Sequence, residues 1–171
     1  YGDHRDLHYP LRRQRQMCIR DRKTLEADDA MGIYATAHPG NTIVSPDKDM
    51  RQIPGKLYNL TDTTTITAEE GAKWHMIQTL AGDQTDGYSG VPGIGVKRAE
   101  TLFNKEGYSW STIVKAFEDK GLTENDALLN ARLARILTLD DYDTERQEPI
   151  LWTPEVAVAI DDGTGLQDES N

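Results

Sequence analysis

Residues 82–95 read GDQTDGYSGVPGIG: five glycines, one proline and two aspartates in fourteen positions. Neither helix nor strand runs through that density of glycine and proline, so the chain must turn there. Helical patterns lie on both sides. TAEEGAKWHMIQTLAG opens with a Thr67–Glu70 cap of the Thr-x-x-Glu kind and continues as an amphipathic helix to Leu80. GVKRAETLFNKEG forms a second helix, closed by Gly107. A plain connection needs only a few turn-formers. The excess asks for a functional explanation.

The elements around this pair predict an α/β sheet carrying a helical annex. TLEADDAMGIYATA places Leu25, Met31 and Ala35 at helical spacing, with acids in the first turn where they suit the positive end of the helix dipole. NTIVS is a short β-branched run between turn residues, the pattern of a buried parallel strand. DKDMRQI reads as a helical turn, and KLYNL and TTTIT as a strand pair around Thr61-Asp62. LTENDALLNARLARILTLDD reads as a third helix with Thr123 as N-cap and Leu129, Leu133, Ile136 and Leu137 as its core-facing stripe. Trp74, Met76, Ile77 and Leu80 are assigned to packing, His75 to a structural or surface role; Trp110 and Trp152 carry no decisive context.

Residues 23–68 are thus expected to form part of an α/β core and 69–154 a helical region, with an acidic, frayed tail over 155–171. Residues 1–22, including LRRQRQMCIRDR, are basic and lack apolar periodicity. They read as an unrelated or disordered segment, resembling translated adaptor sequence, and are set aside from fold reasoning.

The formal charge of −10 argues against a nucleic-acid partner, which usually calls for a basic surface. Much of the acid, however, is confined to tight groups and to the tail from Asp161 to Glu169. Carboxylates that hold divalent cations do not present their full charge to DNA. No window approaches the apolar run of roughly 18 residues that a membrane helix needs. The polar, basic start is unlike a signal peptide. Cys18 is the single cysteine, so an internal disulfide and a thiolate zinc site are both excluded, and a reducing, cytoplasmic setting is expected.

Three acidic groups stand out: Glu26, Asp28 and Asp29; Asp47 and Asp49; Asp83 and Asp86. Each has an ordinary reading, as helix-dipole partners, a capped turn, and loop punctuation. Taken together they point elsewhere. Asp47 and Asp49 follow IVS directly, and the carboxyl end of a parallel strand is where α/β proteins place ligand sites. Like charges about 4 Å apart cost on the order of 4 kcal/mol per pair at an effective dielectric near 20, so a shared pocket calls for bound cations. Oxygen-only ligands favour Mg2+ or Mn2+ over zinc. Two such ions about 3.5–4 Å apart are the apparatus of in-line phosphodiester hydrolysis.

In the turn, Gly90, Gly93 and Gly95 let backbone approach a phosphate, and the helix start after them offers free N–H groups. Lys97 and Arg98 oppose the dipole of that helix, which makes sense with a phosphate in front of them. The ordinary reading is a tight helix–helix turn with both cations in water. The binding reading is a sequence-independent, salt-sensitive grip on a nucleic-acid backbone.

EADD, IVSPDKDM and GDQTDGYSGVPGIGVKRA, in this order, resemble the signature blocks of the flap endonuclease / 5′-3′ exonuclease superfamily. HMIQTLAGDQTDGYSG, GLTENDALLNARLARIL and PILWTP are similar to the exonucleases of short-tailed phages. The likeness covers about Thr24 to Pro154. It implies a PIN-like parallel-sheet core, incomplete in this chain, with a helix–three-turn–helix DNA-binding annex. The implied activity is metal-dependent 5′-3′ exodeoxyribonuclease action on duplex DNA with a 5′ end or flap, extending to RNA–DNA hybrids, in the cytoplasm of a host cell if phage-encoded. By position, Glu26 and Asp28 would be catalytic with the first metal, and Asp29, Asp47, Asp49, Asp83 and Asp86 would serve the second. Carbonyls of Val91 and Ile94 would hold K+ against the DNA backbone.

Family members carry an N-terminal strand with further aspartates and a helical arch. Residues 1–22 resemble neither, and Asp3, Asp6 and Asp21 take no role. The expectation is an N-terminally truncated exonuclease with severely impaired hydrolysis. Two other readings are a non-catalytic duplex-DNA-binding helix–turn–helix module, and a phosphatase with an Asp-x-Asp nucleophile supported by IVSPDKDM alone.

Overall fold

Helix α1 (Ala27–Ala37) begins directly after Glu26 and leads into strand β1 (Thr42–Val44). The structure, a computed structural model, describes residues 25–154; the basic segment 1–22 and the tail 155–171 lie outside the described residues. A 3₁₀ turn (Lys48–Gln52) follows β1, then β2 (Gly55–Tyr58) and β3 (Thr63–Ile66). β1 pairs parallel with β2, setting Ile43 opposite Leu57, and β2 pairs antiparallel with β3. The β2–β3 turn is closed by Asn59, whose Oδ1 accepts the N–H groups of Thr61 and Asp62 at 3.0 and 2.8 Å. The expected parallel strand is present, but only Ile43 points inward; Val44 is 58% exposed, because β1 is the edge of this small mixed sheet. Ile43, Met50, Ile53, Leu57 and Ile66 form one core against Met31 and Ala35 of α1.

The second core is helical. α2 (Ala68–Ala81) starts in the capping box foreseen at Thr67 and Glu70, and α3 (Val96–Glu106) ends at Gly107. α4 (Trp110–Glu118), capped by Ser109, lies where the sequence offered no clear pattern, and α5 (Glu124–Ala134) is capped by Thr123. Phe103 and Phe117 are sealed among Leu80, Val91, Ile113 and Ala127. The two cores join where α2 crosses the 3₁₀ turn. A Cβ at Gly71 would sit 2.3 Å from the Gln52 carbonyl oxygen, so only glycine permits that approach.

The last helix departs from expectation. α5 stops at Ala134, and its buried face is Ala127, Asn130, Ala131 and Ala134. Leu129 and Leu133 are 56% and 51% exposed, and Ile136 and Leu137 lie beyond the helix end. The reason is close approach: small residues let α5 lie tight on α2, and the Asn130 side chain accepts the Gly90 N–H at 2.9 Å. Beyond α5 the chain is stitched to α1, the Leu137 N–H reaching Asp29 Oδ1 at 3.0 Å and the Leu139 N–H reaching Thr36 Oγ1 at 2.9 Å. A 3₁₀ turn (Leu139–Asp141) and the short pair β4 (Tyr142–Asp143) and β5 (Glu148–Pro149) complete the described chain. His75 is buried, 2.7 Å from the Ala131 carbonyl, with Trp152 edge-on at 5.2 Å. Among the described residues, no helix is long and apolar enough to cross a membrane.

Candidate metal centre and the glycine turn

Each acidic group arrives on a different element. Glu26, Asp28 and Asp29 sit at the start of α1. Asp47 and Asp49 follow the carboxyl end of β1, and Asp47 caps the 3₁₀ turn by accepting the Asp49 N–H at 2.9 Å. Asp83 and Asp86 leave α2 in a turn held by Asp83–Tyr88 backbone pairing. An open cleft of about 690 Å³ is lined by Glu26, Asp28, Asp29, Asp47, Asp49 and Asp86. Asp83 joins it through Asp49: carboxylate oxygens of Asp49, Asp83 and Asp86 all lie within 4.8 Å of one another, a group that can hold a metal ion. All seven acids therefore belong to one neighbourhood. Asp29 also has a structural task, since one of its oxygens accepts the Leu137 N–H.

The electrostatics carry the mark of this crowding. Burial pushes the Asp28 carboxyl above its ordinary range, and Asp47, Asp49, Asp29 and Glu26 push it further. Asp49 is raised as well, burial and Asp47 outweighing the Lys48 ammonium at 3.4 Å. Asp29 is raised by burial against its bond from Leu137. Asp83 goes the other way, held low by Lys48 at 2.8 Å and by the Thr85 N–H at 2.9 Å. Tyr88, buried beside Asp49, Asp83 and Asp86, is raised and stays a neutral phenol. The donors are hard carboxylate oxygens with no thiolate or imidazole among them. That set fits Mg2+ or Mn2+.

Five contributors escaped the sequence reading. Gln78 Nε2 donates to Asp49 Oδ1 at 2.6 Å, and its own Oε1 accepts from Gln52 Nε2 at 2.7 Å. Lys48 is the residue between the two aspartates of Asp-x-Asp. Arg132 and Arg135 line the cleft from the end of α5, with Arg135 paired to Asp141 at 2.7 Å and Arg132 Nε bonded to the Trp152 carbonyl at 3.1 Å.

The three glycines of the turn separate by role. Gly90 (φ 60°) is internal: a Cβ there would meet Gly82 N at 2.4 Å and Leu80 O at 2.5 Å, and its N–H is already taken by Asn130. Gly93 and Gly95 are exposed, and a Cβ on Gly95 would meet nothing within 4 Å. α3 starts at Gly95 without a side-chain cap and without an acid in its first turn. Lys97 is exposed, whereas Arg98 folds back to donate to the Gly93 carbonyl at 2.6 Å. Val91 is buried, and its carbonyl accepts the Ile94 N–H at 2.9 Å.

The chain is 32% identical to the exodeoxyribonuclease of Enterobacteria phage T3 over 188 aligned positions, covering 83% of this chain and 59% of the relative. It is also 32% identical to the exonuclease of Escherichia phage T7, covering 83% of this chain and 60% of that one. These likenesses are consistent with the flap endonuclease / 5′-3′ exonuclease superfamily. A 5′-3′ exonuclease of Mycobacterium tuberculosis is 32% identical over 64% of the chain and 42% of its own length. No family model matches. The chain spans about three fifths of the length of these two phage relatives. The observed α/β arrangement, a small mixed sheet with five helices, is compatible with a PIN-like core.

Proposed function

We propose that this chain carries the metal-binding and duplex-gripping parts of a 5′-3′ exodeoxyribonuclease that hydrolyses phosphodiesters with two Mg2+ or Mn2+ ions. The observation that carries the reading is the meeting of Asp49, Asp83 and Asp86, delivered by two elements far apart in sequence, within 4.8 Å. Asp49, Asp83 and Asp86, backed by Asp47 and Asp29, would hold the ion near the leaving oxygen. Glu26 and Asp28 would hold the other. Bound divalent ions would supply a nucleophilic water and neutralise charge on the leaving oxygen. The protein's own part is to fix these carboxylates: Gln78 aims Asp49, the Thr85 N–H aims Asp83, and the Leu137 N–H anchors Asp29.

The glycine turn would act as a helix–three-turn–helix grip on the duplex beyond the scissile bond. Open backbone at Gly93 and Gly95, orphan N–H groups at the α3 start and Lys97 support contact with phosphates. K+ held by the Val91 and Ile94 carbonyls would bridge the turn to the DNA backbone. The preferred substrates would be 5′ ends or flaps of duplex DNA, with RNA–DNA hybrids read by the same backbone contacts. The setting would be cytoplasmic.

The test is a 5′-labelled duplex incubated with the chain in Mn2+, with Asp49→Asn/Asp86→Asn as the reference. Metal-dependent release from the 5′ end that the double variant loses is the expected result. Release from the 3′ end, or cleavage that the double variant retains, sinks the reading. Duplex affinity measured by fluorescence anisotropy should meanwhile fall linearly with the logarithm of salt.

A further inference from the structure

Lys48 sits inside the acid cluster. Its Nζ lies 2.8 Å from Asp83 Oδ2 and 3.4 Å from Asp49 Oδ1, two of the three carboxylates whose oxygens gather within 4.8 Å. An ammonium there satisfies the same demand a shared cation would. The two partners are fixed independently of it, Asp49 by Gln78 at 2.6 Å and Asp83 by the Thr85 N–H at 2.9 Å. The lysine is the exposed member. Its side chain is 52% exposed against 11% for Asp49, and its four-carbon stem has an open route to water.

We propose that Lys48 is a built-in counter-ion, filling the cation position of the Asp49/Asp83/Asp86 cluster until a divalent ion displaces it. The proposal rests on the reading that this cluster takes a divalent metal. It gives the lysine two effects of opposite sign. In the metal-free protein it relieves repulsion among acids that folding forces together. During loading it competes, so metal binds more weakly than the bare carboxylates would allow.

Titration calorimetry with Mn2+ on the full chain and on Lys48→Ala separates these effects. The variant should bind Mn2+ about three- to tenfold more tightly, the competing ion pairs being gone. Without metal it should melt below the wild type, and the gap should close once both are saturated. Equal or weaker affinity in the variant overturns the proposal. Lys48→Gln, which keeps much of the stem, repeats the comparison if the alanine variant fails to fold. In the unaltered protein, the proposal requires a lysine side-chain ammonium resonance with slowed exchange that disappears on adding Mg2+. A resonance absent from the metal-free protein, or persisting at saturating Mg2+, is evidence against it. If neither wild type nor variant binds Mn2+, the metal reading falls and takes this proposal with it. If both bind equally, only the role of Lys48 falls.

Discussion

Gln78 Nε2 donates to Asp49 Oδ1 at 2.6 Å, and Gln52, which donates to Gln78 at 2.7 Å, also donates to the Ala134 carbonyl and accepts the Ile136 N–H at 3.1 Å. A buried relay of two amides thus runs from the exit of α5 to a carboxylate of the candidate metal centre. Gln78→Leu removes the buried amide donor of Asp49 Oδ1 and one of the two acceptors of Gln52 Nε2. The expected cost is about 1–3 kcal/mol in stability, read from urea unfolding. Because the relay orients a ligand, Mn2+ affinity should also fall about 10- to 100-fold. Undiminished affinity would mean that Gln78 only packs.

Divalent metal should stabilise the fold. An ion that binds the native cluster and not the unfolded chain adds about 2.7 kcal/mol at a concentration 100 times its Kd. Thermal melts with and without Mn2+ measure this, and Asp49→Asn/Asp86→Asn should abolish the shift. Asp86 is exposed, so its replacement should leave the metal-free fold intact. An identical shift in the double variant would place the ion elsewhere.

The acids were legible because they sit at places whose chemistry is local: a helix start, a strand's carboxyl end, a helix exit. The capping box at Thr67, the N-cap at Thr123 and the Thr61-Asp62 hairpin were legible for the same reason. What escaped depends on distance in sequence. Nothing near Leu129 or Leu133 says that α5 presents alanines to α2, since a large apolar stripe reads as core until a neighbour demands close approach. Gln52 and Gln78 are unremarkable polar residues until folding buries both. The helix at Trp110–Glu118 is short, and its burial of Ile113 and Phe117 is set by α2 and α5.

Gly90 and Gly95 should respond oppositely to alanine. At Gly90 the added Cβ meets backbone atoms at 2.4–2.5 Å in a left-handed conformation, so Gly90→Ala should lose more than about 2 kcal/mol. At Gly95 there is open space, and stability should change by less than about 0.5 kcal/mol while duplex affinity falls. Lys97→Ala should also keep the fold, weaken duplex binding uniformly across sequences, and reduce the salt slope by about 1. Anisotropy titrations at several salt concentrations measure both. An unaltered salt slope removes Lys97 from the phosphate contacts.

His75 makes stability pH-dependent. Burial, and then the nearby Arg135 guanidinium, lower its pKa from the ordinary 6.5 to about 4, so the folded protein keeps the imidazole neutral while the unfolded chain protonates it first. Stability from this group is therefore complete above about pH 6.5, declines as pH falls from there toward about 4, and is level below that. The shift corresponds to about 3 kcal/mol over the window. Asp28, Asp29 and Asp49 work in the opposite direction, because their raised carboxyl pKa values favour the folded state as acid is added. Comparing wild type with His75→Gln cancels their part. Urea unfolding at pH 7, 6, 5 and 4 should show the wild-type advantage shrinking by about 3 kcal/mol. Parallel pH profiles for the two proteins would mean that the imidazole charges inside the fold, contradicting burial as the feature that holds it neutral beneath Trp152.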